Sequence, residues 1–423
     1  MRIAKCSPIA AALAVAVVVC GSWGCSPAPG GSAKATLEEA DFSESSLAEI
    51  GQVMEKHVAD GRMIGGLGLI ARHGEIAYLE SWGSRDREAN LPMTTDTIVR
   101  IFSMSKPITT VAAMILHEQG QFDLDDPVSK FIPELGGLSV LVEKKDTNGK
   151  TSEEEVPAER DMTIRDLMRH TSGLTYGFFG DSTVDKMYAG AGTTRTKNLA
   201  EHANALGELP LKYQPGTRWN YSYSTDMLGR VVEVISGQSL DVFFREQIFQ
   251  PLKMEDTGFY VPEGSHSRLS RLYTPDDEGI LQLATPERIK AAGRRVRDFT
   301  RPASFLSGGG GLVSTAADYL KFAQMLLNGG HYGGAKILSG ESVQLMTMNQ
   351  LEGISEDRIF GLGLDTDAED RYGWGGAAGT RFWVDPELDM VTIFATQLYP
   401  GGEKGKTQFR NEFLDLAYRS LIH

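Results

Sequence analysis

The chain has 423 residues, 41% of them hydrophobic, enough for one large domain or two lobes with real cores. Aromatic residues at 9% and charged residues at 23% are ordinary for a globular protein. A formal net charge of −14, with no long basic run to offset it, disfavours binding to nucleic acid or anionic lipid by charge attraction.

Residues 1–25 read as an export signal. Residues 1–5 are basic, and 9–19 are almost purely apolar yet too short to span a bilayer comfortably. Two processing points fit. Gly24-Cys25 resembles that of a bacterial lipoprotein, with Ser22 and Trp23 departing from the usual pattern, and would place a lipid anchor on Cys25. Ala33-Lys34-Ala35 offers a small-x-small site for plain export. Residues 26–36, rich in Pro, Gly, Ser and Ala, suit a flexible tether. The expected location is periplasmic, either free or membrane-anchored. The three cysteines, Cys6, Cys20 and Cys25, all fall in this leader. The body therefore has no disulfide, no thiol nucleophile and no cysteine metal site.

Residues 37–61 carry apolar positions Leu47, Ile50, Val53, Met54 and Val58 at helical spacing. Residues 68–80 hold two apolar runs around His73-Gly74, a β-hairpin pattern. Residues 94–102 lead into a helix from Ser103 to about Gln119. Residues 122–135 are a loop and turn. The polar, acidic stretch 143–160 is expected to be an exposed, solvated loop. A short helix over 163–170 ends at His170-Thr171-Ser172-Gly173. Further helices are expected over 226–235 and 240–249, broken by Gly237, and 289–300 is basic and loop-like. A glycine-rich loop at 308–311 precedes a cap at Ser314 or Thr315 and a helix to about Asn328. Residues 381–385 and 389–396 form a second hairpin around Pro386-Glu387, and 408–422 is a terminal amphipathic helix. Strands thus cluster at both ends of the body, without regular strand–helix alternation, which excludes a doubly wound parallel sheet. The expected architecture is α/β in the α+β sense. One catalytic unit over 37–423 comprises a sheet lobe (about 37–115 and 301–423) and an inserted, mostly helical lobe (about 116–300).

Ser103 and Lys106 form the one Ser-x-x-Lys in the chain. Serine alone is a poor nucleophile and needs a base. With Ser103 in the first turn of a helix, Lys106 lies one turn on, on the same face, within reach of the serine oxygen. The helix N-terminus favours the developing negative charge. Two fixed positions are a weak signal, expected by chance on the order of once in a chain this long.

The context is more specific. "RIFSMSKPIT" at 100–109, "PGTRWNYSYSTDMLGRVVE" at 215–233 and "YGWGGAAGTRFWVDPE" at 372–387 resemble, in order, three motifs of the serine β-lactamase and penicillin-binding-protein superfamily. They look most like those of its β-lactamase-fold carboxylesterases, often called family VIII. "LMRHTSGL" and the glycine-rich segment at 308–330 are also familiar from that superfamily, so the resemblance spans about 47–396. It implies an antiparallel sheet flanked by helices, and an acyl-enzyme formed on Ser103. Tyr221 would be the general base, as phenolate or within a shared proton network, with Lys106 supplying positive charge. The backbone N–H groups of Ser103 and Ala377 would form the oxyanion hole, each such donor contributing about 3–4 kcal/mol. Gly375 and Gly376 would let substrate approach the strand edge closely.

The sequence departs from β-lactamases and transpeptidases at two places. Tyr221-Ser222-Tyr223 stands where Tyr or Ser, any residue, then Asn is usual, and Trp374-Gly375-Gly376 replaces a Lys-Thr-Gly. The third-motif lysine ordinarily meets a substrate carboxylate. With Trp374 in its place an uncharged ester is the expected substrate, so esterase ranks above β-lactamase or D-Ala-D-Ala carboxypeptidase. A non-catalytic penicillin-binding-like module is the rival outside enzymes. Tyr223 is a rival base, Asp226 reads as a helix cap or buried hydrogen-bond partner, and His170 as structural. Tyr176, Phe178 and Phe179 are candidates for lining the acyl pocket. No His-x-x-x-His pairing suggests a metal, no cofactor is implied, and no Gly-x-Ser-x-Gly suggests an α/β-hydrolase. Oligomeric state and acyl length leave no mark in the sequence.

Overall fold

Helix α1, Glu44–Ala59, begins at an N-cap where the Ser43 side chain accepts a hydrogen bond from Ser46 N. It leads into β1, Gly65–Arg72, buried along almost its whole length, as expected of a strand covered on both faces. Strand β2, Glu75–Asp86, folds back on it through a tight turn in which His73 and Gly74 both have positive φ, 54° and 78°. The short β3, Leu91–Pro92, closes that edge. The computed structural model describes residues 41–145, 151–192, 196–291, 295–399 and 403–422. These belong to the unit Ala35–His423, and the export signal, the whole tether and Cys25 lie outside the described residues.

Four more strands come from the other end of the chain: β4 (Asp365–Thr366), β5 (Tyr372–Gly375), β6 (Arg381–Asp385) and β7 (Met390–Thr396). The sheet runs β4-β5-β6-β7-β1-β2-β3, every neighbouring pair antiparallel. The two chain ends meet where β1 pairs β7, with Leu69 opposite Ile393.

Alternation along these strands builds two cores. Leu67 and Leu69 with Val391 and Ile393 face the larger one. It is shared with α2 (Ser105–Glu118), α3 (Ser224–Ser236) and α4 (Ala316–Leu327). Ile70 and Phe394 face the other, against Ile50 and Met54 of α1 and Phe409 and Phe413 of α5 (Glu403–Arg419). Helices thus cover both faces. Between β3 and β4 the chain runs mainly through helices, turns and short hairpins. No helix among the described residues is long and apolar enough to cross a membrane.

Three local expectations are corrected. The 143–160 segment is largely a hairpin, Ser139–Lys145 paired with Thr151–Pro157, rather than a solvated loop. Val140, Leu141, Val142 and Val156 pack one end of it against the larger core, while its outer end is wet and polar, with an ion pair between Lys144 and Glu154 across the strands. In 289–300 the start is helical (Pro286–Ala291), and Phe299 is buried in a small cluster with Ile98, Val261 and Val313. Ser103 is not in the first turn of the α-helix. It occupies a 3-10 turn, Phe102–Met104, and α2 starts at Ser105.

Candidate active site

The turn carrying Ser103 is fixed from several sides. Phe102 has φ of +42°, a left-handed value that costs an aromatic residue energy and persists only where its surroundings impose it. Its ring stacks on Tyr399 (5.0 Å, 7°) and meets Phe299 edge-on (6.5 Å). Next to Ser103, Met104 O accepts from Tyr319 Oη at 2.8 Å, and Ser105 Oγ accepts from Leu312 N at 3.1 Å. Ser103 is left half-buried at the head of α2.

Lys106 is almost wholly enclosed, at 1% exposure. A buried ammonium must find acceptors. It donates to Tyr176 Oη at 3.0 Å and to the Gly309 carbonyl at 2.6 Å. Its Nζ also lies 4.6 Å from the ring centroid of Tyr221, a cation–π contact. Among the described residues no hydrogen bond joins Lys106 to Ser103 or to the Tyr221 hydroxyl; such contacts often tighten only when substrate binds.

The glycine-rich loop that provides the Gly309 carbonyl is held in turn by Asp226 in the first turn of α3. Its carboxylate accepts from Ser307 Oγ at 2.5 Å and from Gly309 N at 3.1 Å. Thr109 Oγ1 donates to Gly308 O at 2.7 Å. Asp226 is thus a buried hydrogen-bond partner, and its work is to place the acceptor that Lys106 uses.

Aromatic rings surround Tyr221. Centroid distances are 5.2 Å to Tyr176, 5.7 Å to Trp374, 5.7 Å to Phe179, 4.9 Å to His170, and 6.1 Å to a stacked Trp219. Phe360 packs edge-on against Trp374 at 5.4 Å. Phe178 and Phe179 continue from Tyr176 to the surface, Phe179 being 62% exposed. Tyr223 turns the other way, its ring against Tyr176 (4.5 Å) and His202 (4.6 Å). Strand β5 brings Trp374 and Gly375 to this wall. Gly376 lies so close to the Ser103 turn that a Cβ would stand 2.3 Å from Ile101 O. Ala377, itself exposed, follows in the turn beyond β5 between the buried Gly376 and Ala378.

Burial, and then the nearby Tyr221, Asp226 and Tyr223, raise the Tyr176 phenol well above its ordinary range, so it stays protonated. His170, fully buried with φ of +59°, is pushed well below the ordinary imidazole value by burial, then by the charges of Lys106 and Arg358. It is neutral at pH 7, and its backbone carbonyl accepts from Asn220 N at 2.8 Å, just before Tyr221. Among the described residues no group of three or more His, Cys, Asp or Glu could hold a metal ion.

The structure thus gathers Ser103, Lys106, Tyr221, Trp374, Gly375 and Gly376 from three separate segments, with Ala377 one residue beyond. Sequence reasoning missed that Tyr176, rather than Tyr221, takes the Lys106 hydrogen bond. It also missed Trp219 and Phe360 in the wall. Nothing in the spacing of those residues marks them, because each arrives from a different loop.

Known proteins resemble this chain in sequence and in fold. The beta-lactamase family model matches residues 50–417. Protein Rv1367c of Mycobacterium tuberculosis is 34% identical over 376 residues, covering 82% of this chain and 90% of that one. Esterase EstB of Burkholderia gladioli is 32% identical over 304 residues, covering 68% and 72%. Among solved structures, EstCE1, described as a hydrolase with promiscuous acyltransferase activity, superposes with a TM-score of 0.69 at 27% identity, covering 88% of this chain and 99% of that one. The chain belongs to the beta-lactamase family, and its relatives place it among the serine hydrolases of that fold.

Proposed function

We propose that the protein is a carboxylesterase that works through an acyl-Ser103 intermediate. Ser103 Oγ attacks the ester carbonyl while its proton passes to Tyr221. The tetrahedral oxyanion is received by the backbone N–H groups of Ser103 and Ala377. Tyr221 then protonates the departing alcohol, and water repeats the sequence on the acyl-enzyme to release the acid.

The buried Lys106 carries this reading. It is clamped between Tyr176 Oη and Gly309 O, with its charge against the face of Tyr221. Tyr176 stays protonated, so it serves Lys106 as acceptor and leaves Tyr221 as the base. The aromatic wall of Trp374, Tyr221 and Phe360 supports an ester over a β-lactam, because Trp374 stands where the third-motif cation would be. The relative EstB, by its name an esterase, supports the same choice.

The test is hydrolysis of p-nitrophenyl acetate, butyrate and octanoate beside nitrocefin, by the leaderless protein and by Ser103→Ala. Ester turnover lost in the variant, with little nitrocefin signal, is the expected outcome. Nitrocefin turnover comparable to that of the esters, or ester turnover that survives in Ser103→Ala, would overturn the reading.

A further inference from the structure

Two phenylalanines are held out toward solvent beside the site. Phe178 is 42% exposed and Phe179 62%. An apolar side chain gains by leaving water, so a frame that keeps two rings wet forgoes that gain. The frame is specific. Gly177 has φ of +78°, and a Cβ there would meet Asp185 O at 2.7 Å and Ala189 N at 2.8 Å. A Cβ on Gly180 would stand 2.2 Å from Asp185 Oδ2. The buried Asp185 carboxylate accepts from Thr175 Oγ1, Ser182 Oγ and Lys212 Nζ, each at 2.7 Å. Both ends of the Phe178-Phe179 pair are thus seated against one anchored residue, and their exposure is built into the loop.

The pair is joined to the reacting groups. The Phe179 ring lies 5.7 Å from that of Tyr221, Phe178 stacks on Tyr176 at 4.9 Å, and the two phenylalanines meet at 4.6 Å and 54°. The other rings around Tyr221, those of Tyr176, His170, Trp219 and Trp374, are buried or half-buried. The surroundings of Tyr221 therefore open to water at Phe178 and Phe179. In ester cleavage Tyr221 returns its proton to the oxygen of the departing alcohol, so that oxygen must come within hydrogen-bond reach of Tyr221. The group it carries then lies among the rings beside Tyr221, and it must leave into solvent while the acyl group stays on Ser103.

We propose that Phe178 and Phe179 form the binding site for the alcohol portion of the ester, and that this portion is an uncharged aromatic group. The proposal rests on the esterase reading and narrows its substrate. Two rings tilted by 54° offer a third ring both a face and an edge, the contacts that aromatic pairs prefer. Neither side chain carries a donor or an acceptor, so a polar group gains nothing there. The rings expected to line the acyl pocket are thus assigned to the leaving-group side.

Kinetics on four uncharged esters test this. Benzyl, cyclohexylmethyl and ethyl butyrate share one acyl-enzyme and differ only in the alcohol. Ethyl 4-phenylbutanoate puts the ring on the acyl side instead. Phe179→Ala should lower the benzyl-to-ethyl ratio of kcat/KM on the butyrates by about three- to tenfold, the range of one aromatic pair contact. The cyclohexylmethyl-to-ethyl ratio should fall less, and the ratio of ethyl 4-phenylbutanoate to ethyl butyrate should stay unchanged. Phe179→Trp, which restores a ring, should recover the benzyl preference. A mere packing role beside Tyr221 would slow all four esters alike, and ratios left unmoved would overturn the subsite while the esterase reading stands. A fall confined to the phenylbutanoate ratio would put the rings on the acyl side and overturn it as well. Equal falls for benzyl and cyclohexylmethyl would overturn the aromatic class. Should wild type cleave none of the four, the esterase reading fails, and the subsite with it. Should Phe179→Ala not fold, Phe178→Ala is read the same way.

Discussion

Replacing Gly376 by alanine tests how closely the third motif must approach the nucleophile turn. The new Cβ would stand 2.1 Å from Thr380 Oγ1 and 2.3 Å from Ile101 O. Thr380 can rotate away, giving up a long 3.4 Å hydrogen bond to Ile101 O. The Ile101 carbonyl cannot, because it accepts from Met104 N at 3.0 Å, and Ile101 N is tied to Leu312 O at 3.1 Å. An ordinary contact begins near 3.4 Å, so β5 and the turn must separate by about 1 Å. That displacement moves Ser103 relative to the Ala377 N–H with which it would share an oxyanion. A misplacement of about 1 Å costs on the order of a hundredfold in rate, or about 2.7 kcal/mol of transition-state stabilisation. Overpacking should also cost about 1–3 kcal/mol of stability. The assays are kcat/KM on p-nitrophenyl butyrate and thermal unfolding. A variant close to wild type in both would refute the reasoning that this contact sets the site.

Tyr176→Phe removes one of two acceptors from a buried ammonium. It should cost about 1–3 kcal/mol of stability and lower kcat, read by denaturant unfolding and steady-state kinetics; unchanged stability would mean that Lys106 does not depend on this hydroxyl. Asp226→Asn keeps the side-chain shape but loses the charge-assisted contacts to Ser307 and Gly309. Its expected effect is a lower kcat with little change in KM, and a change confined to KM would count against its placing Lys106 through Gly309. His170 is a buried neutral imidazole whose folded-state pKa is depressed. Its contribution is therefore intact above the unfolded value near 6.5 and is lost as pH falls below it, at up to about 1.4 kcal/mol per pH unit. His170→Asn, which tolerates the left-handed backbone, should flatten the fall in Tm below pH 6.5; an equally steep fall would assign the acid sensitivity elsewhere.

The sequence disclosed most where a pattern is short and local. The hairpin at His73-Gly74 and the helix after Thr315 were legible from turn residues and apolar spacing. The meeting of β1 with β7 could be guessed because strands cluster at both chain ends, and the resemblance in three motifs named the rest of the sheet. Contacts made by irregular backbone were not legible. The 3-10 turn at Phe102–Met104 depends on Tyr399 and Phe299, far away in sequence. The hairpin at 139–157 hid behind its acidic composition, although Asn148-Gly149 is a turn signal in the sequence. For Lys106 the sequence supplied the residue but not its acceptors, since the Gly309 carbonyl and the Tyr176 hydroxyl belong to loops whose paths local propensity does not set.

The central claim is that an acyl group is carried on Ser103, and mass spectrometry of the enzyme quenched during turnover of p-nitrophenyl butyrate tests it most directly. One butyryl group on the peptide containing Ser103, absent in Ser103→Ala and accumulating when Tyr221 is replaced by phenylalanine after slow acylation, is the expected result. Continued ester turnover with no adduct on that peptide, or an adduct on another residue, would contradict it.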